Sequence, residues 1–209
     1  MIGLDPITIA LRIPALLIAI TAHEYAHARM AYHFGDATAK LQGRMNLNPI
    51  NHLDPIGTLM ILLVGFGWAK PVPINPYNFN QYRSGLRWVS FAGPMSNFIL
   101  GFLTLLLLNI LFIGGLTGGL FIQFMVVLMQ LNILLAIFNL VPIPPLDGSK
   151  ILMSFLPDAY LGFYRQLERY AMIILLLLIF TGGLGAIIMP LYRMVYGLFS
   201  TLIGVIPGL

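Results

Sequence analysis

The segment Ile13-Pro-Ala-Leu-Leu-Ile-Ala-Ile-Thr21-Ala-His23-Glu24-Tyr25-Ala26-His27 decides how this chain is read. An uncharged apolar run leads straight into His-Glu-x-x-His. On a helix, residues i and i+4 share a face, so His23 and His27 can bring two imidazole nitrogens to one metal ion at about 2.0–2.1 Å. Glu24 stands beside them, placed to take a proton from a bound water. Ionisable groups within an apolar span are costly, and they mark functional sites by default. The competing reading, solvated polar residues at a helix end, conflicts with the absence of charge from Ile13 to Thr21. With the helix ending near Tyr32, the histidines lie about 8–14 Å inward of that end at 1.5 Å per residue.

The chain around this segment has 209 residues, 59% of them hydrophobic and 9% charged. Soluble domains carry about 25% charged residues. The apolar excess falls in long runs, with a mean hydropathy of +0.91, and that predicts bilayer-spanning helices. The net charge of +4 is spread over several loops without a basic run, so it reads as membrane topology rather than nucleic-acid binding. There are no cysteines, so a metal must be held by His and carboxylate. The start Met-Ile-Gly-Leu-Asp5 has no basic n-region and no small-residue cleavage site, and it reads as uncleaved.

Apolar stretches run from about Ile7 to Tyr32, Ile56 to Phe66, Trp88 to Ile113, Leu120 to Val141, and Tyr170 to Ile206. The last is interrupted by Gly182, Gly183, Gly185 and Pro190, which predicts two helices with a turn between them. Ile56–Phe66 is too short to cross the bilayer, which takes about 20 helical residues. It lies between polar, proline-rich pieces, so residues 34–87 read as an insert that dips into the membrane or lies on it. Short strands are expected around Trp68 to Ile74. Irregular backbone at that depth must pack against protein or line a wet cavity.

If the insert begins and ends on one face, Lys40, Arg44, Lys70, Arg83, Arg87, Lys150, Arg165 and Arg169 share that face, which is cytoplasmic by the positive-inside rule. The fold class expected is therefore an all-α polytopic membrane protein. It has about five transmembrane helices and a re-entrant, loop-and-short-strand insert between the first and second. Residues 1–209 form one domain, with a core at about 7–156 and C-terminal helices at about 157–209.

Two histidines leave a catalytic zinc one protein ligand short. Asp36, Asp54, Asp147, Asp158 and Glu168 are the candidates. Asp147 follows a long apolar helix in Asn139-Leu-Val-Pro-Ile-Pro-Pro-Leu-Asp147-Gly148, where the prolines end the helix and stiffen the chain. An N-cap for the segment after it is an equally ordinary role for an Asp.

Taken together, these motifs resemble the site-2 protease family of intramembrane metalloproteases. The resemblance rests on the His23–His27 helix, Ala92-Gly-Pro-Met-Ser-Asn97, and Asn139 to Gly148, in that order, and it spans roughly Ala22 to Lys150. The insert's Asn48-Pro-Ile-Asn-His52-Leu-Asp54-Pro-Ile-Gly57 and Gly67-Trp-Ala-Lys-Pro-Val-Pro73 look like the compact prokaryotic branch without PDZ or CBS modules. The resemblance implies that His23, His27 and Asp147 hold Zn2+ and that Glu24 is the general base. It further implies that Asn97 and Asn139 orient substrate or line the site, although an Asn near a helix end also serves simply to bond a neighbouring helix. The family often has Gly where this chain has Ser149. His52 is a candidate catalytic-support residue, or a structural residue of the insert beside Asp54, and His33 reads as interfacial. The substrates implied are membrane proteins or peptides, cut by a multi-pass protein of the cell membrane whose site lies in the cytoplasmic half of the bilayer. A metal transporter or sensor, the rival reading, would carry acidic or His residues along several helices. A second rival, an inactive homologue that retains membrane clients, sits poorly with an intact Glu24.

Overall fold

The computed structural model describes residues 6–54, 57 and 69–204. Eight helices are found there: α1 Pro6–His33, α2 Thr38–Leu41, α3 Tyr82–Ile113, α4 Leu120–Leu140, α5 Asp147–Met153, α6 Asp158–Arg169, α7 Ala171–Phe180 and α8 Gly183–Ile203. Single 3-10 turns cover Pro49–His52 and Pro76–Asn78. The all-α class holds, and three helices, α3, α4 and α8, are long and apolar enough to cross a membrane. This is a helical membrane protein. The expected Ile56–Phe66 stretch lies outside the described residues apart from Gly57.

The helices α1, α3 and α4 form the centre. On α1 the buried face reads Ala15, Ala19, His23, His27, Ala31, a ridge stepping by four residues. On α3 the matching ridge is Val89, Gly93, Asn97, Gly101, Leu105. Small residues along both ridges let the backbones approach closely, which is how helices associate where lipid removes the hydrophobic drive. A methyl at Gly101 would come within 2.9 Å of Ile133 on α4, so only glycine admits that crossing. Farther along the same helices the core turns fully apolar, with Leu105, Leu108, Ile122, Met125, Met129 and Ile133. The helix α8 lays Ile188, Tyr192, Val195 and Phe199 against this core.

Two expectations need correction. The interruption predicted across Gly182 to Pro190 is confined to Thr181 and Gly182, where Gly182 has φ +74°; α8 resumes at Gly183 and absorbs Pro190. A helix in a membrane protein tolerates an internal proline because neighbours re-satisfy the freed carbonyl. Upstream of that turn, α7 has only 10 residues, about 15 Å at 1.5 Å each, roughly half a bilayer core. The short strands expected around Trp68 to Ile74 reduce, among the described residues, to one antiparallel bridge between Leu53 and Ala69, beside which Lys70 N–H donates to His52 O at 3.0 Å. Pro71 and Pro73 have no N–H to offer, so a ladder cannot continue. The Val72 N–H is taken by Glu24 Oε2 at 2.7 Å. Arg44 donates to the carbonyls of Lys70 and Pro71, at 2.9 and 3.2 Å.

Asp36 staples the insert's beginning to its end. Its buried carboxylate accepts from Thr38 N–H at 3.1 Å and Thr38 Oγ1 at 2.5 Å, from Asn75 N–H at 2.8 Å and from Asn78 Nδ2 at 2.8 Å. Burial alone would push this carboxyl up, but the donors from Thr38, Asn78 and Asn75 favour its charged form and hold it below the usual carboxylate range. With its oxygens so engaged, Asp36 drops out as a metal ligand. A group depressed in this way adds stability that is full above its unfolded pKa of about 3.9 and is lost as pH falls through the lower folded value. We expect Asp36→Ala to loosen the insert by about 1–3 kcal/mol at pH 7. The difference from wild type in proteolysis of the 42–54 segment should shrink on acidification below pH ~4.

Candidate metal centre

Each histidine is oriented by a partner on α3. Nδ1 of His27 lies 2.7 Å from the main-chain oxygen of Val89. A carbonyl only accepts, so that nitrogen carries the proton and Nε2 keeps its lone pair. The ring of His23 is fixed through a side chain. Asn97 Nδ2 donates to Ala19 O at 2.9 Å, which turns Asn97 Oδ1 toward His23 Nδ1 at 2.7 Å. That nitrogen must also be the protonated one, and the Nε2 of His23 is again a bare lone pair.

The two free Nε2 atoms meet Asp147 Oδ2. Nε2 of His23 and Nε2 of His27 are 3.0 Å apart, and each is 3.1 Å from Oδ2. All three residues are buried, with 6%, 6% and 8% of their surface exposed. Three electron-rich atoms at this spacing repel one another unless a cation lies among them. A tetrahedral ion with bonds of about 2.0–2.1 Å needs ligand atoms about 3.3 Å apart, which this triangle nearly matches. The donor set, two imidazoles and a carboxylate with the fourth position open, suits catalytic zinc. Among the described residues it is the single group of three or more His, Asp or Glu side chains that converges on one point.

Asp147 reaches the triangle because of the chain that precedes it. After α4 ends at Leu140, residues 141–146 run without helix, with a cis bond between Pro144 and Pro145. Asp147 then opens α5, but its side chain makes no cap bond; Oδ2 faces the imidazoles and Oδ1 lies 3.9 Å from Lys150 Nζ. The N-cap alternative is therefore set aside. Two glycines fix the approach. A methyl on Gly148 would lie 2.6 Å from Val141 O, and one on Gly93 would lie 2.6 Å from both Cε1 and Nε2 of His23. Gly93 presents bare backbone to the imidazoles.

Glu24 is half-buried beside the group, and its Oε2 accepts Val72 N–H at 2.7 Å. The insert thus crosses the site at Val72. The other predicted residues separate. Asn97 is fully buried and bonds His23 directly, as an orienting group behind a ligand. Asn139 donates back to Leu135 O of its own helix at 3.0 Å. His52 is buried in the insert, where its Nε2 lies 2.9 Å from Asn46 O; among the described residues its Nδ1 has no partner and no bond joins it to the His-His-Asp group. Sequence reading missed Val89, whose role is played by a main-chain atom, and gave Gly93 no role.

Buried His, His and Asp converge inside a helical membrane bundle, a donor set that could hold a metal ion. Comparison with known proteins narrows this reading. The model of peptidase family M50 matches residues 116–182. YwhC of Bacillus subtilis (strain 168) is 46% identical over 172 residues, covering 79% of this chain and 78% of YwhC. Rip2 of Mycobacterium tuberculosis (strain ATCC 25618 / H37Rv) is 30% identical over 194 residues, 88% of this chain and 71% of Rip2. MJ0392 of Methanocaldococcus jannaschii is 27% identical over 145 residues, 69% of this chain but 34% of its own length. By name MJ0392 is a zinc metalloprotease, and YwhC and Rip2 carry the same designation as an unproven one. No solved structure gives a significant match. The chain belongs to peptidase family M50, the site-2 proteases.

We expect Gly93→Ala to yield a folded, helical protein that no longer retains stoichiometric zinc through gel filtration. Asn97→Leu should weaken zinc about 10–100-fold in a chelator competition, the usual effect of removing a ligand's hydrogen-bond partner.

Proposed function

We propose that this protein is an intramembrane zinc endopeptidase that hydrolyses peptide bonds of membrane-spanning substrates, with His23, His27 and Asp147 as metal ligands and Glu24 as general base. The observation that carries this reading is the triangle of two Nε2 lone pairs and one carboxylate oxygen, with Glu24 beside it. Bound zinc supplies Lewis acidity, acidifying a water and polarising a carbonyl. Glu24 takes the proton of the attacking water and passes it to the leaving nitrogen, one carboxylate serving as base and then as acid. The Val72 N–H steadies Oε2 of that carboxylate and leaves Oε1 for the proton. Neither Asn97 nor His52 is assigned as a donor to the reaction's oxyanion: Asn97 Nδ2 is committed to Ala19 and Asn132, and His52 Nε2 faces Asn46 O within the insert.

The substrate must reach this site extended, because a helix hides its carbonyls in internal bonds. A cavity of about 410 Å³ supports an apolar segment as its occupant. It is lined by Phe98, next to Asn97, by Val141 to Ile143 of the loop leading to Asp147, and by Leu191 and Val195 of α8. For topology we propose that α1 and the C-terminal helices bring the span count to about five, with residues 34–87 as a re-entrant insert at the cytoplasmic end. The contact of Arg87 with Ser154 Oγ at 3.2 Å and with the Phe155 ring at 3.8 Å ties the start of α3 to the end of α5 at one end of the bundle. That arrangement supports basic residues sharing one face in a cell-membrane protein.

The test is to purify wild type and Glu24→Gln in detergent and measure zinc content together with cleavage of a membrane-peptide substrate. We expect equal zinc in both and cleavage slower by about 10²–10⁴-fold in the variant, the range for a lost general base. Equal cleavage by both proteins would refute Glu24 as the base. Zinc absent from both would refute the metal site.

A further inference from the structure

Behind His23 the hydrogen bonding does not stop at Asn97. Asn132, fully buried in α4, donates from Nδ2 to Leu128 O at 2.8 Å, one turn back on its own helix. A carbonyl can only accept, so this bond settles which end of the Asn132 amide faces α3. The end that faces α3 is Oδ1, and it accepts the second Nδ2 proton of Asn97 at 2.8 Å.

We propose that Asn132 is a positioning residue of the metal centre, acting through Asn97 to keep His23 in the tautomer that binds metal. This rests on the metalloprotease reading above and adds a residue to it. The argument is one of donors and acceptors. If the Asn97 amide turned over, its NH2 would face His23 Nδ1 and its oxygen would face two acceptors, Ala19 O and Asn132 Oδ1. The imidazole would then need its proton on Nε2, pointing into the ligand triangle, where it blocks the metal. Ala19 and Asn132 each oppose that turn, and in an interior without water each mismatched pair is costly. Asn132 also does what Ala19 cannot. It stands on α4, the helix whose end leads into the loop carrying Asp147, so it keys the histidine-bearing helix and the carboxylate-bearing segment to one shared amide chain. An ordinary helix-to-helix polar bond would need an acceptor near Asn97 but would be indifferent to the ligand's tautomer.

The proposal separates variants by hydrogen-bond pattern rather than by size. In Asn132→Leu the acceptor is gone, and in Asn132→Ser the hydroxyl stops short of Asn97, so the pair covers the case in which one of them fails to fold. Asn132→Asp, kept neutral by burial, offers a carbonyl to Asn97 and an O–H to Leu128 O, the same pattern as the amide. The readouts are zinc affinity of the purified full chain by chelator competition and the visible absorption of the Co2+-substituted protein. We expect Asp to match wild type within about twofold, and Leu and Ser to lose about three- to tenfold, near the lower end for indirect support of a ligand. Their Co2+ bands should shift or weaken, which a packing defect distant from the ligands would not cause. One affinity and one spectrum for all four proteins, or an Asp variant as weak as Leu, would overturn the role of Asn132 while leaving a loaded, cleaving wild type. A wild type that takes up neither metal would overturn the metalloprotease reading itself, and this proposal with it.

Discussion

Two imidazole lone pairs and a carboxylate oxygen, held 3.0–3.1 Å apart in a buried space, form the constraint on which the rest of the structure depends. Such a cluster is unfavourable until a cation occupies it. The protein prevents its dispersal by committing the opposite side of each histidine. One imidazole is tied to a main-chain carbonyl of α3, the other to an asparagine amide that is itself tied on two sides. The proton positions follow from these partners, and with them the direction of both lone pairs.

The helix packing serves the same end. A pair of i+4 ridges built from Ala15, Ala19 and Ala31 on one side and Gly93 and Gly101 on the other brings α1 and α3 together closely enough for those bonds to form. Gly93 faces the histidines directly, with no side chain in the way. The chain after α4 returns Asp147 to the same point, and Gly148 lets α5 start against the Leu140–Val141 backbone. The insert closes the group from the opposite side through Val72 and Glu24, and Asp36 and Arg44 hold that crossing in place. Family membership supplies the protease assignment, while the geometry says how these residues could carry it out.

Much of this was legible in the sequence, for identifiable reasons. Charges in an apolar run are so costly that His23, Glu24 and His27 stood out at once. The C-terminal ends of α3 and α4 followed from apolar runs closed by glycine and proline, whereas α3 begins at Tyr82, six residues before the apolar run, because its first turns are polar. Asp147 could not be separated from a helix cap by spacing alone; the resemblance favoured it, and in the folded chain its carboxylate lies 3.1 Å from both imidazoles. Less legible were partners that carry no side-chain signature, such as the Val89 carbonyl and the Val72 N–H. Gly93 was quoted within a motif, yet a missing side chain gives no hint of what it makes room for. Asn132 is one of four amides in α4, with Gln123, Gln130 and Asn139, and nothing in the sequence singles it out as the buried one. The strands expected near Trp68 gave way because two prolines in five residues remove the donors a ladder needs.

X-ray absorption at the zinc edge of the purified wild-type protein tests the central claim most directly. The account predicts one zinc per chain, four-coordinate, with multiple-scattering features of two imidazoles and light-atom bonds at about 2.0–2.1 Å. Replacing His23 or His27 should reduce the imidazole count by one. A zinc shell with no imidazole contribution, or one unchanged when either histidine is replaced, would contradict it.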